Sequence, residues 1–326
     1  MSSKGIFRSF LNTYKSFIIT AHANPDPDAL GSAVAVYRYL ELLGKKALLV
    51  LDAKIPANLK FLLNDIDITS YLSFANNNKH FEATIALDCS NKARTYTAED
   101  HIIWSMPVMN IDHHPDNTMF GDINIVNKQA SATGEILFDL FYENEQSLNH
   151  NIAQAIYVAL IGDTGGFRYG NTSAKVLNIA AKLLDYQLDV AFLNMQVLEK
   201  QSRKAFNLIS DCLSTVEFYD NVATMYVPYN MLQKHNIDAS QLPELVNYIR
   251  SIEAVEIAIL FLEVEKDFTK ISFRSQPHID ISKVAKIFNG GGHKNAAGCK
   301  LAGNLDKTIK TVIKAVKNYL NRTEAK

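Results

Sequence analysis

Four short segments gather acids and histidines of the kinds that bind metals or move protons. The first is AHANPDPDALGS, carrying His22, Asp26 and Asp28, and the second is ALDCSN, carrying Asp88. The third is NIDHHPD, with Asp112, His113 and His114, and the fourth is IGDTGGF, with Asp163. If a fold brings these together, several carboxylates share one crevice, where like charges raise one another's pKa and resist ionising together. Divalent cations remove that repulsion. Carboxylate oxygens mixed with imidazole nitrogens suit Mn²⁺, with Mg²⁺, Co²⁺ or Fe²⁺ as competitors, and the lack of thiolates argues against a structural zinc site. Two such ions can clamp a phosphate and lower the pKa of a bridging water, which is the equipment for hydrolysing a phosphoester. Taken singly, an Asp after a strand is more often a helix cap, and a buried His more often a hydrogen-bonded structural residue. Four such segments in order are hard to read as coincidental caps.

The elements that must position these residues are legible in outline. Short apolar runs at 16–21, 47–51, 83–87 and 107–111 read as buried strands. Helical spacing fills 28–43, closing at Gly44, and recurs at 151–161 and 173–184. This alternation predicts an α/β fold: a mostly parallel sheet with helices on both faces, whose C-terminal strand ends converge on a crevice at the switch point. Ser131 and Thr133, with Glu135 nearby, read as the capped start of a helix over 134–142, whose N-terminus caps itself or receives a phosphate. A polar-rich helix over 189–213 is expected as a linker, so the chain divides into a metal-binding domain (1–188) and a second domain (214–326). In the second, strands at 215–227, 255–264 and 271–274 and helices at 242–252, 279–288 and 307–320 predict a smaller mixed α/β domain.

The bulk numbers narrow the partners. With 326 residues, 48% hydrophobic and 21% charged, the chain is globular and long enough for two domains. Lys and Arg number 33 against 34 acids, a formal charge of -1, so no overall basic field is available to grip long duplex nucleic acid. A short anionic substrate is compatible, because metal ions and a few cationic side chains bind it locally. The cysteines Cys89, Cys212 and Cys299 are scattered and odd in number, which argues against a disulfide framework. No stretch is long and apolar enough to span a bilayer and the N-terminus has no secretory pattern, so the expected location is the cytoplasm, with no membrane partner and a homodimer left open.

In the order of these motifs the sequence resembles the DHH phosphoesterase superfamily, and within it the branch of oligoribonucleases and pAp phosphatases. FRSQ at Phe273 to Gln276 and GGGHKNAAG at Gly290 to Gly298 are similar to the C-terminal domain associated with that family, so the resemblance spans nearly the whole chain. It implies one metal held by His22, Asp26 and Asp88 and another by Asp28, Asp88, His113 and Asp163, with Asp88 bridging. It further implies that His114 faces the scissile phosphate and that Asp112 orients an imidazole from behind. The second domain has its own logic: Gly290, Gly291 and Gly292 expose backbone N–H groups in a loop, His293 adds a donor, and Arg274 can fork onto a phosphate. Arg168 is close enough in sequence to Asp163 to line the crevice. Where many relatives have Gly between the first two acids this chain has Pro27, and Cys89 and Ser90 follow Asp88; no ligand is lost by either departure.

The implied activity is hydrolysis of short RNA oligonucleotides to mononucleotides, with removal of the 3′-phosphate of pAp. Alternatives are a pyrophosphatase or exopolyphosphatase, a dinucleotide phosphodiesterase, and, from a different class, a catalytically silent nucleotide-binding protein.

Overall fold

The computed structural model describes residues 2–51, 55–76, 80–95, 102–144, 147–239, 242 and 245–324, without the side chains of 322–324. The chain forms two compact units, Met1–Lys200 and Gln201–Lys326.

The first unit is built on six strands: β1 (Ser16–Ala21), β2 (Lys46–Val50), β3 (Ile68–Thr69), β4 (Ala83–Leu87), β5 (Val108–Asp112) and β6 (Ile123–Val126). They lie in the order β3-β2-β1-β4-β5-β6 and every pairing is parallel. The order reverses direction between β1 and β4, so their C-terminal ends open the crevice expected of a doubly wound sheet. The central strands are apolar on both faces because both are covered. Phe17, Ile19, Ile85 and Ile111 pack under α1 (Ser3–Thr13), α2 (Pro27–Leu42), α4 (Thr133–Phe141), α5 (His150–Asp163) and α6 (Ala174–Leu184). Their alternates Ile18, Leu48, Ala86 and Val108 meet α3 (Tyr71–Asn76) and the 3₁₀ turn Ile102–Trp104. Strands β3 and β6 and helices α1 and α3 went unread in the sequence: β3 is only two residues long, and β6 is a half-buried edge.

The segment expected as one linker helix is two pieces. α7 (Val190–Asn194) runs into a π-helical turn, Met195–Glu199, and α8 (Arg203–Leu213) starts afresh on the Ser202 cap. The break coincides with the boundary between the units.

The second unit has a mixed sheet, β11-β12-β10-β9-β8-β7, in which only β8 and β9 pair in parallel. Its strands are β7 (Glu217–Tyr219), β8 (Val222–Val227), β9 (Ile257–Glu265), β10 (Phe268–Ser275), β11 (Gly291–His293) and β12 (Ala296–Ala302). The run expected as one strand over 215–227 is the β7–β8 hairpin, turning at Asp220, whose φ is 56°. One face packs on α8, α9 (Tyr229–His235) and α10 (Val246–Arg250), the other on α11 (Ser282–Ile287) and α12 (Leu305–Glu324). No helix among the described residues is long and apolar enough to cross a membrane.

Candidate metal centre

His22 follows directly on β1. Its Nδ1 lies 2.9 Å from the Ala23 carbonyl oxygen, which turns Nε2 inward, 3.6 Å from Asp26 Oδ2 and 3.4 Å from Asp88 Oδ2. Asp26 is the N-cap of α2, accepting from the Ala29 N–H at 2.9 Å through Oδ1 and leaving Oδ2 for His22. Pro27 occupies the first helical position, where its missing N–H would have had no partner, so the proline between the two acids is locally favourable. Asp28, one residue on, points inward and is fully buried.

Three donors hold Asp28: Ser32 Oγ at 3.0 Å and Gly134 N–H at 3.0 Å on Oδ1, and Thr133 N–H at 2.6 Å on Oδ2. The N-cap position of α4 is Ala132, which has no capping side chain. Asp28 therefore caps α4 from another helix, so of the two readings of this N-terminus the capping one holds, with a protein carboxylate rather than a phosphate on its N–H groups. Ser131 is no cap either; its hydroxyl donates to the Asn171 carbonyl.

Asp88 follows β4 with φ at 51°, a left-handed turn that Asp tolerates better than most residues. Its N–H still bonds the Ile111 carbonyl at 3.0 Å, so the backbone stays stitched to β5 while the side chain swings into the crevice. Asp88 Oδ2 faces His22, and Oδ1 lies 3.5 Å from His113 Nε2 and 3.0 Å from Thr133 Oγ1. His113 Nε2 also reaches Asp163 Oδ2 at 3.1 Å and Asp28 Oδ2 at 3.8 Å. Asp163 arrives from the C-terminal end of α5, a helix pressed against α2: a Cβ on Gly31 would sit 2.6 Å from the Ala155 carbonyl oxygen.

His114 is tied differently. Its Nδ1 lies 2.7 Å from Asp112 Oδ1, while Asp112 Oδ2 accepts from Asn117 Nδ2 at 2.5 Å. Burial pushes the Asp112 carboxyl up, but His114 and Asn117 outweigh it and hold the group below the usual carboxylate range. The same His114 Nδ1 lies 3.5 Å from Asp88 Oδ1, and the Asp112 carboxylate fixed on it orients the ring. Asn117 and Asn110 were missed in the sequence. Asn110 is fully buried inside β5 and donates to the Ala86 and Cys89 carbonyls; a polar residue within the apolar run VMNID was the available signal.

The protonation pattern shows strain in this cluster. Burial opposes charge on His22, yet Asp26 and Asp88 raise its pKa to about 10; for His113, Asp163, Asp28 and Asp88 overcome the same penalty and raise it to about 10. Burial, reinforced by Asp88 and Asp163, pushes Asp28 well up, and Asp163 is raised to about 6 by burial with His113 opposing. Asp26 goes the other way, its burial outweighed by His22, which holds it low, so the crowding falls on Asp28 and Asp163, and a divalent cation among these groups would relieve it. His22 Nε2 is buried without a hydrogen-bond partner, and distances of 3.4 and 3.6 Å to carboxylates are too long for good hydrogen bonds. They suit ligands sharing one ion, since donors about 2.1 Å from a metal lie about 3–4 Å from each other. Three donor groups close in this way: His22, Asp26 and Asp88; Asp28, His113 and Asp163; and Asp88, His113 and His114. All six residues expected as ligands lie in this pocket, and the donor set fits divalent cations.

The other expected site residues lie in the second unit. Arg274 is on β10 and, like His293 on β11, is in register with Ala296 of β12, so the two occupy the same end of the sheet. Arg274 Nη1 donates to the Phe273 carbonyl at 3.0 Å. The glycine segment, expected as a loop, is an edge strand in Gly291–His293, led in by Gly290. Close approach explains Gly290 and Gly292 but not Gly291, where a Cβ would meet open space: at Gly292, with φ at 134°, a Cβ would lie 2.5 Å from the Ala296 carbonyl oxygen. Arg168 is exposed, with Nε donating to the Gly165 carbonyl at 2.6 Å.

Comparison with known proteins agrees with this layout. The model described as "DHH family, N-terminal domain" matches residues 16–160, and that of the "DHHA1 domain" matches residues 220–321. The bifunctional oligoribonuclease and PAP phosphatase NrnA of Thermus thermophilus is 31% identical over 93% of this chain and 90% of its own length. The protein of the same name from Bacillus subtilis is 28% identical, over 89% of this chain and 91% of that one. Among solved structures, an exopolyphosphatase-related protein from Bacteroides fragilis superposes with a TM-score of 0.86 at 26% identity, covering 97% of this chain and 96% of the other.

Proposed function

Because the chain belongs to the DHH family and carries a DHHA1 domain, we propose that it is a metal-dependent hydrolase that cleaves short RNA oligonucleotides to mononucleotides and removes the 3′-phosphate of pAp. The observation that carries this reading is the sharing of Asp88 between donor groups, with one oxygen toward His22 and the other toward His113. Such a carboxylate is suited to bridging two ions, and the oxygen and imidazole donors favour Mn²⁺. When bound, the pair supplies hydroxide at neutral pH and neutralises charge on the phosphate.

The protein's own groups do the rest. His22 and Asp26 hold one side, Asp28, His113 and Asp163 hold the other, and Asp88 belongs to both. His114, held by Asp112 through Nδ1, presents Nε2 to the scissile phosphate, where it stabilises charge or donates a proton to the leaving oxygen. Arg274, His293 and the edge backbone of Gly291 and Gly292 grip a terminal phosphate, which favours short substrates, whereas the Gly290 N–H is already donated to the Ala285 carbonyl at 2.9 Å. We assign the enzyme to the cytoplasm, in keeping with three free, buried cysteines.

The test is a panel of trinucleotide RNA, long single-stranded RNA, pAp, pyrophosphate and polyphosphate, assayed with Mn²⁺. Preferential turnover of the trinucleotide and pAp is expected; faster turnover of long RNA, or of pyrophosphate or polyphosphate, would overturn the substrate assignment. Asp88→Asn lowers turnover at least about 100-fold, because even partners behind the ligands are worth 10–100-fold.

A further inference from the structure

Thr133 is fully buried, and its two donors go to two different carboxylates: the backbone N–H to Asp28 Oδ2 at 2.6 Å and the hydroxyl to Asp88 Oδ1 at 3.0 Å. Any residue but proline would supply the first bond, since it uses a free N–H of the α4 N-terminus. The second needs a hydroxyl. Among the described residues it is the one side-chain hydrogen bond that Asp88 accepts, because His22, His113 and His114 stand 3.4 to 3.5 Å away.

This matters because Asp88 can serve two donor groups only in one orientation. Rotation about its Cβ–Cγ bond would swing Oδ2 away from His22 and Oδ1 away from His113. Neither histidine approaches closely enough to fix that orientation by a good hydrogen bond, at 3.4 Å for His22 and 3.5 Å for His113. We propose that Thr133 is a positioning residue for the hydrolytic centre: its hydroxyl locks the Asp88 carboxylate with Oδ2 toward His22 and Oδ1 toward His113, the orientation in which it would serve both donor groups, and its backbone fixes Asp28 at the same time. The proposal rests on the reading of Asp88 as the bridge. It also explains why a β-branched residue stands at the start of a helix, since threonine restricts χ1 more than serine and holds the hydroxyl in place.

The test compares wild type, Thr133→Val and Thr133→Ser. Mn²⁺ is titrated into metal-free protein with free Mn²⁺ followed by EPR, and trinucleotide hydrolysis is then measured at saturating Mn²⁺. Valine keeps the shape and the backbone N–H, so α4 stays capped and circular dichroism is unchanged, although the buried Asp88 oxygen that loses its donor lowers the melting temperature of the metal-free protein by a few degrees. The valine variant loses about 10–100-fold in affinity for at least one ion, the effect typical of removing a partner behind a ligand. Its kcat falls with KM unchanged, while the serine variant returns both affinity and kcat to within several-fold of wild type. A valine variant that binds Mn²⁺ and turns over like wild type overturns the proposal, and so does a serine variant as defective as valine, which would assign the role to the methyl group. A wild-type protein that takes up no Mn²⁺, or an Asp88→Asn variant that takes it up normally, would instead sink the metal-centre reading beneath it.

Discussion

The pocket places His22 and His113 where nearby carboxylates hold their protons to about pH 10 in the metal-free protein. A metal needs neutral imidazole, so each ion must displace a proton from its histidine. Below pH 10 affinity for Mn²⁺ therefore rises with pH, and binding near neutrality releases the protons of His22 and His113 together with what Asp28, pushed well up by burial, still holds. Calorimetry in buffers of different ionisation enthalpy reads that release directly; pH-independent affinity from 6 to 9 would contradict it. The identity of the donors was legible from residue type and order, because carboxylates and imidazoles cluster in few other contexts. Their supports were not. Asn110 and Thr133 act through side-chain hydrogen bonds to residues far away in the chain, and Asn117 reaches back five positions to Asp112 across a turn with no regular period, so only the three-dimensional arrangement reveals those pairings.

Elements, in turn, carry the donors at fixed places. Three strand ends deliver His22, Asp88 and the Asp112–His114 run, as alternation of strand and helix led one to expect. The fourth contribution, Asp163, comes from α5, which belongs to no strand–helix repeat and reaches the pocket by packing on α2, α4 and α6. That packing is tight at Gly31, so Gly31→Ala forces backbone apart and destabilises by about 1–3 kcal/mol; thermal denaturation measures it, and an unchanged midpoint would mean the helices yield freely. In the second unit, the glycine run was visible but its conformation was not. Three residues that pair only along one edge carry no period, so a strand reads as a loop. Arg274 and His293, brought to one end of that sheet, predict that Arg274→Ala raises KM for trinucleotide RNA about 10–100-fold, the worth of a hydrogen bond to a charged group. Mn²⁺ affinity is the control that should not move.

For the whole molecule, the apolar clusters divide cleanly. Those of the first unit run from Phe7 to Leu193 and those of the second from Ala205 to Val316. Each unit thus buries its own core, and residues 1–200 expressed alone are expected to fold and bind Mn²⁺ while losing RNA hydrolysis, as circular dichroism and assay would show. Full activity of that fragment would remove the second unit from the proposed substrate grip. The formal charge of -1 conceals local contrast: acids crowd the pocket, whereas Lys307, Lys310 and Lys314 line one side of α12. The mirror-image bend at Asp88, finally, decides what a silenced copy of this protein can look like. Asparagine suits that backbone region and would extinguish chemistry while sparing architecture. Valine or isoleucine would add at least about 1–2 kcal/mol of steric conflict, so at this position a substitution that merely silences and one that also destabilises are separated by what the backbone bend tolerates at Cβ.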